Sequence, residues 1–533
     1  MRTWRGESGG SEAAARLGTV VEWLLILLVF AAAGAWPVPD VNETVYLTKA
    51  RHAADPTWAR GDFFLETPDA HGVFYLLMGP IAAALPLEPA AWIGRIIGWA
   101  ALALGFRQAI VPLLYSGWAR VVAAALFALA LRNTTAAGEW VIGGCEAKVY
   151  AWAFVLGGLG GIARGRFAWA VCLCGAATAF HPIVGGWALV ATVVSWLAMG
   201  RPAAPEGRGV ATALVAVGLL LAAAGVVPAI GLTAGVAADV RAEATRIYVV
   251  ERLAHHLLPR TFADGMVARH VLAIAVWWLL HRLLPVSVAR GWIAAFTLAA
   301  ISLSLTGHVI AAAEPWAPTA VHGLLRYYWF RLADVAVPFA LATAVAALLE
   351  DETLCRRVIG ARPALVRGLT VAVLLSDLAA QSLHWPLPGR VGLVPRSDSK
   401  MAATAWADIC EWTRTHTPAD GCFLTPRNAA SFTWRTGRRE VVSWKNSPQD
   451  AASLVEWRRR IVDCFSRNKS LVEMERSTAS LGPDRLQTVA ARYGADHAIV
   501  PLDAPLVDAI PGERLHANAV YAVYRLTLPE PSF

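Results

Sequence analysis

The chain has 533 residues, 56% of them apolar and only 16% charged, with a mean hydropathy of +0.48. A soluble domain carries about 25% charge, so this balance excludes an ordinary cytosolic enzyme, a disordered protein and a disulfide scaffold. The net charge of +8 is spread over short loops between apolar runs, which points to membrane topology and away from nucleic acid.

Residues 1–384 are apolar runs broken by short charged clusters. Arg2, Arg5 and Arg16 precede the run 17–36, whose only charge is Glu22. It is long enough to span about 30 Å of hydrocarbon and reads as a retained first helix with a cytoplasmic N-terminus. Further spans are expected at 89–106, 117–134, 147–163, 167–181, 183–199, 209–231, 271–285, 291–312, 324–349 and 365–383. The run 72–87 is short and has Gly79-Pro80 in its middle. Read as an external helix lying on or dipping into the bilayer, it leaves 11 spans in all. Arg107, Arg120, Arg164, Arg166, Arg201, Arg208, Arg282 and Arg290 then fall inside with Arg356, Arg357, Arg362 and Arg367, and Arg132 is left at an outer end.

Three polar segments, 37–71, 135–147 and 232–270, fall outside together with the tail. In the first, Asp40 and Glu43 stand three apart and share a face on a helical turn; Asp55, Asp62, Glu66, Asp69 and His71 follow. This reads either as a carboxylate site for a metal ion or general-base work at the bilayer edge, or as a solvated loop paired with Lys49, Arg51 and Arg60. In the second, Glu139 and Glu146 lie among Gly and Trp, and Lys148 opens an apolar helix. Charges entering a span are a functional hypothesis by default; the alternative is an interfacial Glu146–Lys148 pair. His181-Pro182 marks a tight outer turn, where a capping or packing histidine is expected.

The third segment carries Arg241, Arg246, Glu251, Arg252, His255, His256 and Arg260. Helical spacing lets Ile247, Val250, Leu253 and Leu257 face lipid while the arginines face water. That suits a surface anchor or a site for a phosphate-bearing head group, which the planar guanidinium matches. The span 324–349 carries Arg326, Arg331 and Asp334; the last two form an i,i+3 pair, and Arg326 is free to reach a ligand.

From Met401 the pattern becomes soluble α/β, with helices at 401–416, 450–467 and 484–493 and strands at 422–424, 440–444, 497–502 and 520–526. The stretch 386–399 is the linker. Seven cysteines show no C-x-x-C, so no metal or disulfide framework follows, and any bridge among Cys410, Cys422 and Cys464 is not fixed by spacing. The fold class expected is an all-α multi-pass membrane bundle of about 11 transmembrane helices (1–384), followed by a small α/β extracytoplasmic domain (385–533).

One span, then an acidic first outer loop, amphipathic helices and an outer α/β tail resembles the GT-C membrane glycosyltransferases, which include oligosaccharyltransferases and polyprenyl-phosphate-sugar-dependent transferases. The strings PDVNETVYL, GDFFLE, GEWVIGG and YYWFRLADVAVP look like an uncharacterised bacterial membrane family of unknown function. The resemblance implies an inner-membrane glycosyltransferase that moves a sugar from a polyprenyl-phosphate donor to an extracytoplasmic acceptor. Asp40, the acid after the first helix, is the implied base. Glu43, Glu139 or Glu146 would bind a divalent cation (Mg²⁺ or Mn²⁺) or orient the acceptor. Lys148, Arg246, Arg252 and Arg326 would hold the donor phosphate. Asp40-x-x-Glu43 stands where the family has an Asp-x-Asp or Asp-Asp pair. The rivals are a transporter or flippase for an anionic lipid or solute, and a non-catalytic assembly protein; few polar residues lie within spans, which favours the enzyme.

Overall fold

The computed structural model describes residues 8–527 except Leu506, with side chains from Arg16 onward apart from Asp508; Arg2 and Arg5 lie outside the described residues. The chain begins with α1 (Ser8–Gly34), α2 (Glu43–Ala54), α3 (Gly72–Ala84), α4 (Leu87–Ile110), α5 (Gly117–Asn133), α6 (Ala147–Ala163), α7 (Phe167–Phe180), α8 (Pro182–Ala198) and α9 (Arg208–Gly231). It continues with α10 (Ala238–Arg246), a π-helical turn Ile247–Arg252, α11 (Ala254–Leu257), α12 (Asp264–Leu283), α13 (Val288–Ala312), α14 (Pro318–Leu325), α15 (Ala333–Glu350), α16 (Glu352–Ile359) and α17 (Pro363–Ser382).

Seven of these helices (α1, α4, α9, α12, α13, α15 and α17) are long and apolar enough to cross a membrane, and α3, α6, α7 and α8 are shorter apolar helices. Their outward faces carry large aliphatic side chains, as with Leu220 on α9 at 73% exposed. Such a surface is stable only against lipid, and the chain is a membrane protein. Inside the bundle, small residues let backbones approach closely. A Cβ on Gly105 of α4 would lie 2.2 Å from the Ala153 carbonyl oxygen of α6, and one on Gly175 of α7 would lie 2.0 Å from that of Gly218 in α9.

Charged side chains collect at the two ends of the bundle. At one end Glu22 bridges Arg107 (3.0 Å) and Arg120 (2.9 Å), and Glu350 accepts from the backbone of Tyr115 and Ser116. At the other end α2 and α3 pack against each other beside the tail. A Cβ on Gly79 would meet the Ala50 carbonyl oxygen at 2.8 Å. Gly94 and Arg95 of α4 meet Cys145 and Glu43 at this same end.

The run 324–349 departs from its expectation. It is not one helix: α14 stops at Leu325, residues 326–332 turn, with Tyr328 at φ 53°, and α15 starts at Ala333. The Arg331–Asp334 pair therefore does not form. Asp334 instead accepts backbone N–H groups of Ala136 (2.6 Å), Ala137 (2.9 Å) and Glu139 (3.2 Å), and Arg331 pairs with Glu139. The amphipathic reading of 247–257 is also corrected. Ile247 and Leu257 are fully buried in protein, Ile247 in the core of the tail, so they do not face lipid.

The tail contains α18 (Ala403–His416), β1 (Cys422–Leu424), α19 (Phe432–Thr436), β2 (Arg439–Glu440), α20 (Ala451–Phe465), α21 (Pro483–Tyr493), β3 (His497–Pro501), β4 (Gly512–Ala517) and β5 (Tyr521–Leu526). The sheet order is β2-β1-β3-β5-β4, with β2, β1 and β3 parallel and β5 antiparallel to both β3 and β4. Strand side chains alternate between faces. Phe423, Ile499 and Val523 pack with Trp406 and Ile409 of α18, while Leu424, Val500 and Tyr524 pack with Trp457 of α20 and Val489 of α21. All seven cysteines are free.

Glu440 of β2 joins the tail to the first loop. Its N–H donates to Asp62 (3.0 Å), and its carboxylate accepts from Ser443, Asn446 and Thr425. Burial, with Asp62 beside it, pushes its carboxyl up to about 8. The folded chain thus keeps a proton that an unfolded glutamate loses near about 4.3, so this group's contribution is full below that value and is lost as pH rises towards 8. Thermal unfolding of the detergent-solubilised protein should show the midpoint falling between pH 5 and 8 more steeply in the wild type than in Glu440→Gln; equal slopes would contradict this.

Candidate functional site

The site grows from the point where α1 ends. Trp36 and the turn after it place Asp40, and Glu43 opens α2. Glu43 forms a bidentate pair with Arg95 of α4, Nε–Oε1 and Nη2–Oε2 both 2.7 Å, with both side chains wholly buried. The Glu43 carboxylate also accepts the N–H groups of Cys145 and Asp40 at 2.7 Å each, and Arg95 donates to the Trp36 carbonyl. One ion pair thus fastens the first loop, the second loop and α4.

Asp40 is fully buried and bidentate with Arg396 from the linker, Nε 2.7 Å and Nη2 2.5 Å. The Arg396 guanidinium also lies over Trp36 (4.6 Å) and Trp140 (4.8 Å). Glu139 pairs with Arg331 at 2.8 Å and accepts from Trp152 Nε1 at 3.2 Å. Glu146 lies 3.6 Å from Lys148 and accepts from Asn42 Nδ2 at 3.0 Å, while its Oε1 is buried without a hydrogen bond among the described residues. Burial raises the Glu146 carboxyl, and Lys148 and Asn42 oppose that rise.

Between the bundle end and the tail lies a cleft of about 290 Å³. Five cations line it: Lys148, Arg252, Arg326, Arg331 and Lys445; Glu146 is the one carboxylate on its wall, with Tyr46, Tyr248 and Tyr328 nearby. Lys148 and Arg331 have carboxylate partners. Arg252, Arg326 and Lys445 have none among the described residues. Arg252 reaches the Lys445 carbonyl at 3.3 Å and keeps a buried Nε unpaired. Arg326 has Thr245 Oγ1 at 3.5 Å, and Lys445 donates to Asn42 Oδ1 at 2.5 Å. Burial, with Arg252 alongside, pushes the Lys445 ammonium down to about 7. The π-helical turn, a distortion frequent at functional sites, carries Tyr248 and Arg252.

Of the residues singled out in the sequence, the structure brings Glu146, Lys148, Arg252 and Arg326 into this cleft. Asp40 and Glu43 are in the wall behind it, and Glu139 reaches it only through Arg331. Arg246 is corrected: it does not line the cleft, because Glu243 (2.9 Å) and Glu251 (2.8 Å) hold its guanidinium. Arg331, Lys445, His71 and His181 also line the cleft; Lys445 carries no signal in sequence, since its neighbour Asn42 is 403 residues away. The donor set does not fit a divalent cation. Asp40, Glu43 and Glu139 are each paired with a guanidinium, and among the described residues no three His, Cys, Asp or Glu side chains gather as ligands.

Residues 404–464 match the family model described as a domain of unknown function (DUF6798). No curated protein matches the chain. Three similar solved structures are the mycobacterial arabinofuranosyltransferase AftD (17% identity, 97% of this chain, 40% of that chain, TM-score 0.47), the oligosaccharyltransferase AglB from Archaeoglobus fulgidus (11%, 90%, 69%, 0.41) and ArnT from Cupriavidus metallidurans (12%, 96%, 98%, 0.36). The chain spans about two fifths of the AftD length. These neighbours are GT-C glycosyltransferases.

Removing one partner of a buried ion pair strands the other, at about 3–5 kcal/mol. Glu43→Gln should therefore lower the unfolding stability by that order, whereas Arg246→Ala, on a half-exposed pair, should change it by less than about 1 kcal/mol. Similar unfolding midpoints for the two variants in one detergent would contradict the assignment.

Proposed function

We propose that the cleft holds the phosphate of a polyprenyl-phosphate sugar and that the chain transfers the sugar to an acceptor on the outer side of a bacterial inner membrane. The observation that supports this is the charge imbalance: Arg252, Arg326 and Lys445 converge at the bundle end without a carboxylate partner among the described residues. Partial burial disfavours the charged forms of Arg252 and Lys445, and an anion offsets that cost. The cleft adjoins helices with lipid-facing surfaces, so an anion carried on a lipid chain reaches it from the bilayer.

In such a transfer an acceptor hydroxyl attacks the anomeric carbon, and the bond from that carbon to the phosphate oxygen breaks. Charge grows on the departing phosphate. Guanidinium and ammonium groups already in place stabilise that charge more in the transition state than in the donor, and this lowers the barrier. Asp40 serves this reading as the anchor of Arg396, and Glu43 as the anchor of Arg95. Glu146 holds Asn42 and Lys148 on the cleft wall.

The test uses purified protein in nanodiscs and undecaprenyl phosphate, the ligand named for the ArnT structure, as the probe. Arg252→Ala and Lys445→Ala should each weaken binding at least about tenfold, the loss expected of one charged hydrogen bond, while Arg246→Ala should bind as the wild type does. Because Lys445 is held near 7, binding at pH 8 should take up a proton, seen as a binding enthalpy that varies with the buffer. Equal affinities across the three variants would remove the phosphate from this cleft.

A further inference from the structure

We propose that His71, oriented by Asp69, is the base that takes the proton from the acceptor hydroxyl, an inference that rests on the glycosyl-transfer reading. The two residues precede α3. Asp69 Oδ1 accepts from the His71 backbone N–H at 2.8 Å and meets His71 Nδ1 at 2.6 Å. Both side chains are 6% exposed. Burial raises the Asp69 carboxyl, but His71 and then Lys49 outweigh it and hold it well below the usual carboxylate range. A carboxylate so fixed makes Nδ1 the protonated nitrogen and leaves Nε2 with its lone pair. Nε2 makes no hydrogen bond among the described residues, and His71 lines the cation cleft.

The acids that the sequence offers are less suited to this step. Asp40, Glu43 and Glu139 have their oxygens on guanidinium groups, and Glu146 is tied to Asn42 and Lys148. The dyad has the geometry in which an imidazole works as a general base, with the carboxylate fixing its tautomer and stabilising the imidazolium that forms. The groups that face it are Tyr46 from α2 (ring centroids 5.1 Å apart), Tyr75 from α3 (6.5 Å), His181 before α8 (5.2 Å) and Gln449 from the tail, whose Nε2 is 3.3 Å from His71 Nδ1. Lys49 of α2 is anchored on Thr67, and Arg331 and Glu146 share the cleft wall. Burial and Arg331 lower His181 well below the usual histidine range, so it stays neutral beside the dyad.

In the proposed step His71 Nε2 takes the hydroxyl proton as the acceptor oxygen bonds to the anomeric carbon. The bond from that carbon to the phosphate oxygen breaks, and its electron pair leaves with the polyprenyl phosphate. The imidazolium then returns its proton to solvent. His71 is the catalytic residue and Asp69 its positioning residue.

The experiment uses the full chain in nanodiscs, with undecaprenyl phosphate as the binding probe and a panel of undecaprenyl-phosphate pentoses and hexoses as turnover substrates, water or added glycan serving as acceptor. His71→Gln should bind undecaprenyl phosphate within about twofold of the wild type yet lose about 10²–10⁴-fold of turnover, the range of general-base catalysis. Asp69→Asn should lower turnover without changing KM. Added imidazole should restore part of the activity of His71→Ala, and the acid limb of the pH–rate profile should vanish in His71→Gln. Turnover within threefold of the wild type in His71→Gln, or loss of binding together with turnover, would overturn the dyad as base. A wild type that turns over no member of the panel would overturn the transfer reading itself, and the base with it.

Discussion

The buried pair between Glu43 and Arg95 is the interaction on which the rest of the site depends. It joins residues 52 apart in sequence with no exposed atom area on either side chain. Two charges taken out of water are held only where the geometry is bidentate and the remaining lone pairs are filled. Here the N–H groups of Cys145 and Asp40 fill lone pairs of Glu43, and the Trp36 carbonyl accepts a remaining N–H of Arg95. The end of α1, the start of α2 and the loop before α6 are thereby locked to α4. Asp40 extends the lock to the linker through Arg396, and Asn42 extends it to Lys445. A tail that folds around its own sheet is in this way made part of a site at the end of the bundle.

With the wall fixed, the cations of the cleft have defined positions. Lys148 opens α6, Arg252 ends the π-helical turn, Arg326 caps α14, Arg331 lies in the turn before α15, and Lys445 comes from the tail. Two of these five charges have a carboxylate partner, Arg331 with Glu139 and Lys148 with Glu146, whereas Arg252, Arg326 and Lys445 have none among the described residues. The proposed anionic ligand would neutralise these three cations.

The bundle was largely legible in the sequence because hydropathy marks apolar helices directly, and helices form at the expected runs except that 324–349 is broken between α14 and α15. Loop charge was informative as well, since Arg107 and Arg120 do gather at one end, around Glu22. The break at 326–332 was hidden, because aromatic residues keep the run apolar while the backbone turns and Asp334 caps a distant loop. In the tail, β4 was missed: GERLHA is an exposed edge strand whose side chains do not alternate. The acids of the first loop stand out in the sequence only as a group, and in the structure Asp40, Glu43 and Asp69 each have a defined partner. The partners Arg95 and Arg396 could not be assigned, because a guanidinium 52 or 356 residues away is paired by the fold alone.

The central claim is that the cleft binds a lipid-borne phosphate, and a density map of the protein in nanodiscs with undecaprenyl phosphate tests it most directly. The account predicts the phosphate within hydrogen-bond distance of Arg252, Arg326 and Lys445, with the Glu43–Arg95 pair unchanged and the isoprenoid chain leaving towards the lipid. A phosphate bound elsewhere on the chain, or a cleft that stays free of it at saturating lipid, would contradict the account.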